Sequence, residues 1–145
     1  MAEIESIIDT ALDSIRTTYN TSKIGSVGYC FGGRYVARYL AEGKGIEAGF
    51  AAHPSNTQAE EWNAVASPIS IAFGALDQSN TPENRTNIEE IFFDGNKTYQ
   101  TSLFSDAEHG FAVRTNLSVP QKAFAQEGAY FQAVRWLDAW VKGQM

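Results

Sequence analysis

Cysteine, histidine and positive charge are all scarce in this chain, and each scarcity closes off a class of function. One cysteine in 145 residues excludes an internal disulfide and suits a reducing compartment. Eleven Lys and Arg stand against seventeen Asp and Glu, for a formal net charge of -6. The basic residues are scattered, so phosphate backbones find no clustered surface and nucleic acid is not an expected partner. No apolar run approaches the ~20 residues of a membrane-spanning helix, so a membrane is not expected as a partner either. The opening, MAEIESIIDT, is acidic and polar, unlike a secretory signal, which makes the cytoplasm the expected location. Asn-x-Ser/Thr triplets at Asn20, Asn84, Asn96 and Asn116 then read as chance matches. Repeats, low-complexity tracts and linkers are also missing. Hydrophobic residues at 43% and charged residues at 19% are globular proportions, so residues 1–145 read as one domain around one core. No cofactor or metal ion is expected.

What is present is an alternation of strand and helix. Residues 2–19 place Ile4, Ile7, Ile8, Leu12, Ile15 and Tyr19 on one helical face. A strand over 23–28 leads into a turn at 29–33, and a helix over about 33–42 stops at Gly43, a candidate C-cap. Strand 46–52 ends at His53-Pro54, and a short helix is expected over 56–65. Strand 68–73, apolar but for Ser70, has the composition of a strand buried on both faces. Thr81-Pro82-Glu83 is an N-cap, a first-turn proline and a first-turn acid, opening a helix to about Phe93. Strand 97–104 and a final helix over about 121–141 follow, the latter expected to bury Phe124, Phe131, Val134, Leu137 and Val141. The expected fold is therefore α/β, a mostly parallel sheet of about four strands with helices on both faces. Ligands bind at the carboxyl ends of such strands, and Cys30, His53, Asp77 and His109 each fall just after one.

Gly28-Tyr29-Cys30-Phe31-Gly32 matches the G-x-S-x-G nucleophile elbow with Cys in the Ser position. The elbow is a sharp strand-to-helix turn whose central residue is strained, and its glycines keep side chains from colliding there. Gly33 would let the helix pack close behind. A thiol so placed is exposed at a helix N-terminus, where the dipole and a nearby imidazole favour thiolate. The N–H of Phe31 is positioned to serve as one oxyanion donor. Two histidines compete as base. His109, in the loop after the last strand, obeys the hydrolase order of nucleophile, acid, histidine, whereas His53 comes too early and reads as a pocket or structural residue. Asp77, at the end of the third strand, can hold the His109 Nδ1 proton; Asp106 and Glu108 would have to fold back within the histidine's own loop.

Gly-Tyr-Cys-Phe-Gly-Gly, Gly-Ala-Leu-Asp and Glu-His-Gly-Phe-Ala-Val-Arg, in that order and at that spacing, resemble the dienelactone hydrolase family, its fungal branch most of all. The resemblance spans nearly the whole chain and corresponds to the carboxy-terminal half of a family member, a partial α/β-hydrolase fold. It implies a Cys30-Asp77-His109 triad that opens a small lactone or ester through a thioester. It also implies that Arg114 stands near the arginine that holds a substrate carboxylate; otherwise Arg114 is a surface residue, and Tyr29 and His53 are the other expected substrate contacts. Arg34 reads as a helix-surface ion-pair partner. In the family several strands precede the elbow strand and supply the second oxyanion N–H and a glutamate that manages the thiol's protonation. Here one helix precedes it. Strand 23–28 would thus be an open edge with one charge, Lys23, and a homodimer formed across it is the expected assembly. Two alternatives to hydrolysis stay open: a non-hydrolytic cyclisation or isomerisation in the same pocket, and a binding module with a vestigial triad.

Overall fold

The computed structural model describes residues 2–144. Its element order is α1 (Ala2–Tyr19), β1 (Gly25–Tyr29), α2 (Phe31–Tyr39), β2 (Ala48–Ala52), α3 (Ala59–Ala64), β3 (Ile69–Gly74), α4 (Pro82–Asp94), β4 (Tyr99–Phe104) and α5 (Pro120–Trp140). The strands form one parallel sheet in the order β1-β2-β3-β4, as the alternation predicts. Every crossover carries a helix, which a parallel sheet requires. The inner strands β2 and β3 are buried along their whole length.

Side chains alternate across those inner strands, and the two faces fill differently. Ala51, Ile69, Ile71 and Phe73 join a cluster with Val36, Leu40, Trp62 and Phe92 on the side of α2, α3 and α4. Phe50, Ala52 and Ala72 join Phe111, Ala125, Ala129 and Ala133 on the side of α5. Each large aromatic fully removed from water contributes on the order of 1.5–3 kcal/mol. Thr81 caps α4 by accepting the Asn84 N–H, with Pro82 in the first turn. Helix α1 is tied down by polar contacts. Tyr39 Oη donates to the Asp9 carboxylate and the Glu5 carbonyl, and Arg16 donates to the Lys44 and Gly45 carbonyls. Burial, with Asp9 beside it, pushes the Tyr39 hydroxyl up to about 12.

Three local expectations are corrected. Helix α2 ends with Leu40 as its C-cap, and Gly43 lies in the turn beyond, at φ 79°. Helix α5 buries Ala125, Ala129, Gln132, Ala133 and Trp136, whereas Phe124 and Phe131 are 70% and 59% exposed and Val134 is also exposed. The sheet is approached through the small face, because alanines let the helix come close to β2 and β3. In α1 only Leu12 is buried; Ile4 and Ile8 pack partly on the core, and Ile7 and Tyr19 face water.

Candidate active site

Cys30 is the residue between β1 and α2, with φ 51° and ψ -121° as the N-cap of α2. A non-glycine residue there costs roughly 1–3 kcal/mol and persists only where neighbours over-determine it. The neighbours do so by close approach. A Cβ on Gly28 would stand 2.4 Å from the Gly32 carbonyl oxygen, and one on Gly33 2.7 Å from Pro54 Cβ. Gly32 is different: a Cβ there meets nothing within 4 Å, so crowding does not demand that glycine. Phe31 opens α2, and its N–H is among those that lack an intrahelical acceptor. It stands at the nucleophile end of the helix.

Asp77 lies three residues past β3 with its side chain fully buried. Its Oδ1 accepts the Ser79 N–H at 2.8 Å and its Oδ2 accepts Asn80 Nδ2 at 2.9 Å. Both oxygens face His109 Nδ1, at 3.0 and 3.1 Å. An imidazole held at Nδ1 by a carboxylate turns Nε2 toward the pocket and carries its proton on Nδ1. The competing acids are elsewhere. Glu108 pairs with Lys122 at 2.8 Å and accepts from Thr115, contacts that hold its carboxyl below the ordinary range, and Asp106 is exposed.

The thiol has a partner that the order of motifs does not suggest. Cys30 Sγ is 3.4 Å from Nδ1 of His53, which also lies 3.3 Å from the Cys30 N–H. His53 is wholly buried, at φ 38°, and its Nε2 has no hydrogen-bond partner among the described residues. Burial, with His109 beside it, lowers His53 to about 4, so the ring is neutral at pH 7 and its Nδ1 accepts. The juxtaposition follows from register. Tyr29 of β1 pairs with Ala52 of β2, so the residues directly after them sit side by side at the same sheet end. Strand boundaries read from the sequence put both residues just past a strand but do not carry the register that pairs them. The His53 and His109 rings are 5.2 Å apart, and donor atoms of Cys30, His53 and His109 all lie within 4.8 Å of one another.

The remaining candidates spread outward. Tyr29 is half-exposed, with its ring 6.0 Å from that of His53. Arg114 is exposed five residues beyond His109 and makes no ion pair among the described residues, although its charge reaches His53. Arg34 pairs with Glu61 at 2.7 Å. Pro54 seats against Gly33, and its carbonyl accepts Asn80 Nδ2 at 2.7 Å. Asn80 thus links the turn carrying His53 to the carboxylate of Asp77, a positioning role that no sequence pattern signalled.

The dienelactone hydrolase family model matches residues 1–141. The hydrolase pyvD of Aspergillus violaceofuscus is 39% identical over 140 residues, covering 97% of this chain and 57% of the relative. The hydrolase tropI of Talaromyces stipitatus is 37% identical over 139 residues, covering 96% and 54%. The chain spans about half the length of the curated relatives it matches. Among solved structures, an acylaminoacyl peptidase of Pyrococcus horikoshii superposes with TM-score 0.77 at 12% identity, over 97% of this chain and 28% of that one. That likeness concerns the fold.

Proposed function

The chain belongs to the dienelactone hydrolase family, and from that premise we propose that it is a thiol hydrolase of a small lactone or ester, acting through Cys30, Asp77 and His109. The observation that carries the reading is the His109 ring gripped at Nδ1 by both oxygens of the buried Asp77, within reach of a thiol on a strained elbow. His109 Nε2 takes the thiol proton as Sγ attacks the carbonyl carbon. The oxyanion is stabilised by the Phe31 N–H. The C–O bond to the leaving alkoxide then breaks, His109 returns the proton to it, and a thioester remains. Water, deprotonated by the same ring, attacks the thioester, and the thiol is restored as the carboxylic acid departs.

Within this scheme His53 is the resting partner of the nucleophile. Its neutral Nδ1, which accepts the Cys30 backbone N–H, stands 3.4 Å from the thiol sulfur, and a rotation about χ1 of Cys30 hands the thiol to His109. Tyr29 borders the acyl group, and Arg114, exposed and in no ion pair among the described residues, is suited to a substrate carboxylate. A screen of aryl esters and lactones against the wild type and Cys30→Ala tests the scheme. Hydrolysis abolished with the thiol is the expected result, and hydrolysis surviving in Cys30→Ala overturns it.

The contact of Sγ with His53 favours one second reading. A thiol parked away from His109 leaves that histidine free as an acid–base group for a cyclisation or isomerisation without an acyl-enzyme. Turnover that needs His109 and Asp77 but tolerates Cys30→Ala would select it. For assembly, the proposal is a two-fold dimer across β1, whose Val27 is 44% exposed at the sheet edge.

A further inference from the structure

We propose that Cys30, His53 and His109 together form a site for one thiophilic divalent cation, zinc being the type, and that a bound ion silences the nucleophile. The three donors come from turns after β1, β2 and β4 and converge on one point at the carboxyl end of the sheet. A tetrahedral zinc, with Zn–S about 2.3 Å and Zn–N about 2.0–2.1 Å, needs a sulfur-to-nitrogen edge of about 3.5 Å. The Cys30 Sγ to His53 Nδ1 distance is 3.4 Å, so that edge already has the required span. The third donor, from His109, is within 4.8 Å of the other two and has about 1 Å to travel. It can do so, because its side chain is 30% exposed in a loop.

The surroundings also suit a metal. Asp77 holds Nδ1 of His109 from behind, the carboxylate–histidine arrangement that orients ligating imidazoles and raises their basicity. Its buried negative charge stands beside the ion without needing to coordinate it. Asn80 and the Ser79 N–H fix that carboxylate in turn. One thiolate and two imidazoles form a donor set that selects zinc, cobalt or copper over magnesium and calcium. Three protein ligands leave a fourth position for water, as in open zinc sites. On binding, the thiol releases its proton to solvent as the sulfur–metal bond forms, and no electron changes hands. The site extends the sequence reading, which expects no metal. Only the inhibitory consequence rests on Cys30 being the nucleophile of the proposed hydrolysis; the binding does not.

The test uses cobalt(II) as a probe on the full chain after chelator treatment. One equivalent should produce a thiolate-to-cobalt charge-transfer band in the near ultraviolet, with the intense visible bands of a four-coordinate ion. One equivalent of zinc should remove them. Cys30→Ser should abolish the charge-transfer band, and His53→Ala and His109→Ala should each weaken cobalt binding about tenfold or more. Absence of the band in the wild type, or its persistence at full affinity in both histidine variants, overturns the site. Should a variant fail to fold, the wild type still decides: zinc must slow iodoacetamide labelling of Cys30 at least about tenfold, and unchanged labelling sinks the proposal. A cobalt band in a protein that hydrolyses nothing would leave the metal site standing and remove the hydrolase reading, and the reverse result would do the opposite.

Discussion

The two ends of the site are built on different parts of the sheet. Asp77 and His109 follow β3 and β4. Strand β3 is buried along all six residues, and Asp77 itself is held by Ser79, Asn80 and His109. Cys30 follows β1, an edge strand as β4 is, whose Gly25, Val27 and Tyr29 are exposed. Beside β1 an apolar groove of about 380 Å³ opens between α1 and α2, lined by Ile4, Ile8, Leu12, Val27 and Tyr35 among others. Asp77 is therefore held rigidly by burial and by its hydrogen bonds, while His109, in the loop after β4, keeps a partly exposed side chain. The nucleophile end is rigid only through its own elbow, its seat on Pro54 and the pairing with β2. Burial determines which end tolerates change.

The sharpest way to break this contrast is chemical. Asp77→Asn leaves the carboxamide with the same shape but favours the wrong His109 tautomer, so activity should fall about 10³–10⁴-fold with the fold retained. Asp106→Asn, at an exposed position, should stay within a few-fold. Steady-state kinetics on the best ester or lactone, with circular dichroism as the folding control, decide between them. Damage from Asp106→Asn beside a silent Asp77→Asn would mean that the acid end is assigned to the wrong residue.

Next comes stability. Phe73 is 1% exposed in β3 and Val27 is 44% exposed in β1. Phe73→Ala should cost about 3–5 kcal/mol, transfer and cavity together. Val27→Ala should change stability by no more than about 0.5 kcal/mol. Urea unfolding measures both, and equal losses would show that the edge is as well supported as the centre.

The same contrast explains what could be read beforehand. All four strands and five helices were legible, because the apolar runs are short, punctuated and capped by residues with defined local chemistry such as Thr81-Pro82. The elbow and the Asp77–His109 pair were legible because order and strand-end position constrain them. Helix α5 was misread because Phe124 and Phe131 are larger and more apolar than Ala125, Ala129 and Ala133. Packing distance, a property of the sheet beneath, decided the face. The contact of His53 with the thiol depends on the register of β1 with β2, which spacing along one strand does not contain.

His53 supplies a pH test of the nucleophile end. Its folded value, about 4, lies below the ordinary 6.5, through burial first and then the neighbouring His109, with Asp77 opposing and Arg114 assisting. Between pH 4 and 6.5 the unfolded chain binds a proton that the folded chain refuses. Stability from this residue is thus full above about pH 6.5 and is lost as pH falls toward 4, by on the order of 3 kcal/mol. His53→Leu should flatten the difference. Denaturation midpoints from pH 7 to 4, with chelator present, should fall more steeply for the wild type than for the variant. Parallel curves would mean that His53 is as free to charge as a surface histidine.

The smallest energetic effect carries the clearest structural readout, and it concerns the edge itself. An edge strand offers a row of unpaired N–H and C=O groups, and proteins that stay monomeric blunt it with charge, proline or a covering element. Strand β1 reads Gly-Ser-Val-Gly-Tyr and contains neither charge nor proline. The cover from α1 is partial, since Val27 is exposed and the groove between them is open. A second copy meeting this edge across a two-fold axis would pair both strands, fill both grooves and close the assembly. Light scattering at micromolar concentration should accordingly report twice the mass of one chain. Val27→Lys places a charge at the centre of the edge, where each copy would face its like across the axis. It should return the mass to that of a single chain while changing the protomer's own stability by no more than about 0.5 kcal/mol. A wild type that stays monomeric and well folded at these concentrations would defeat the dimer, leaving α1 as sufficient cover for β1.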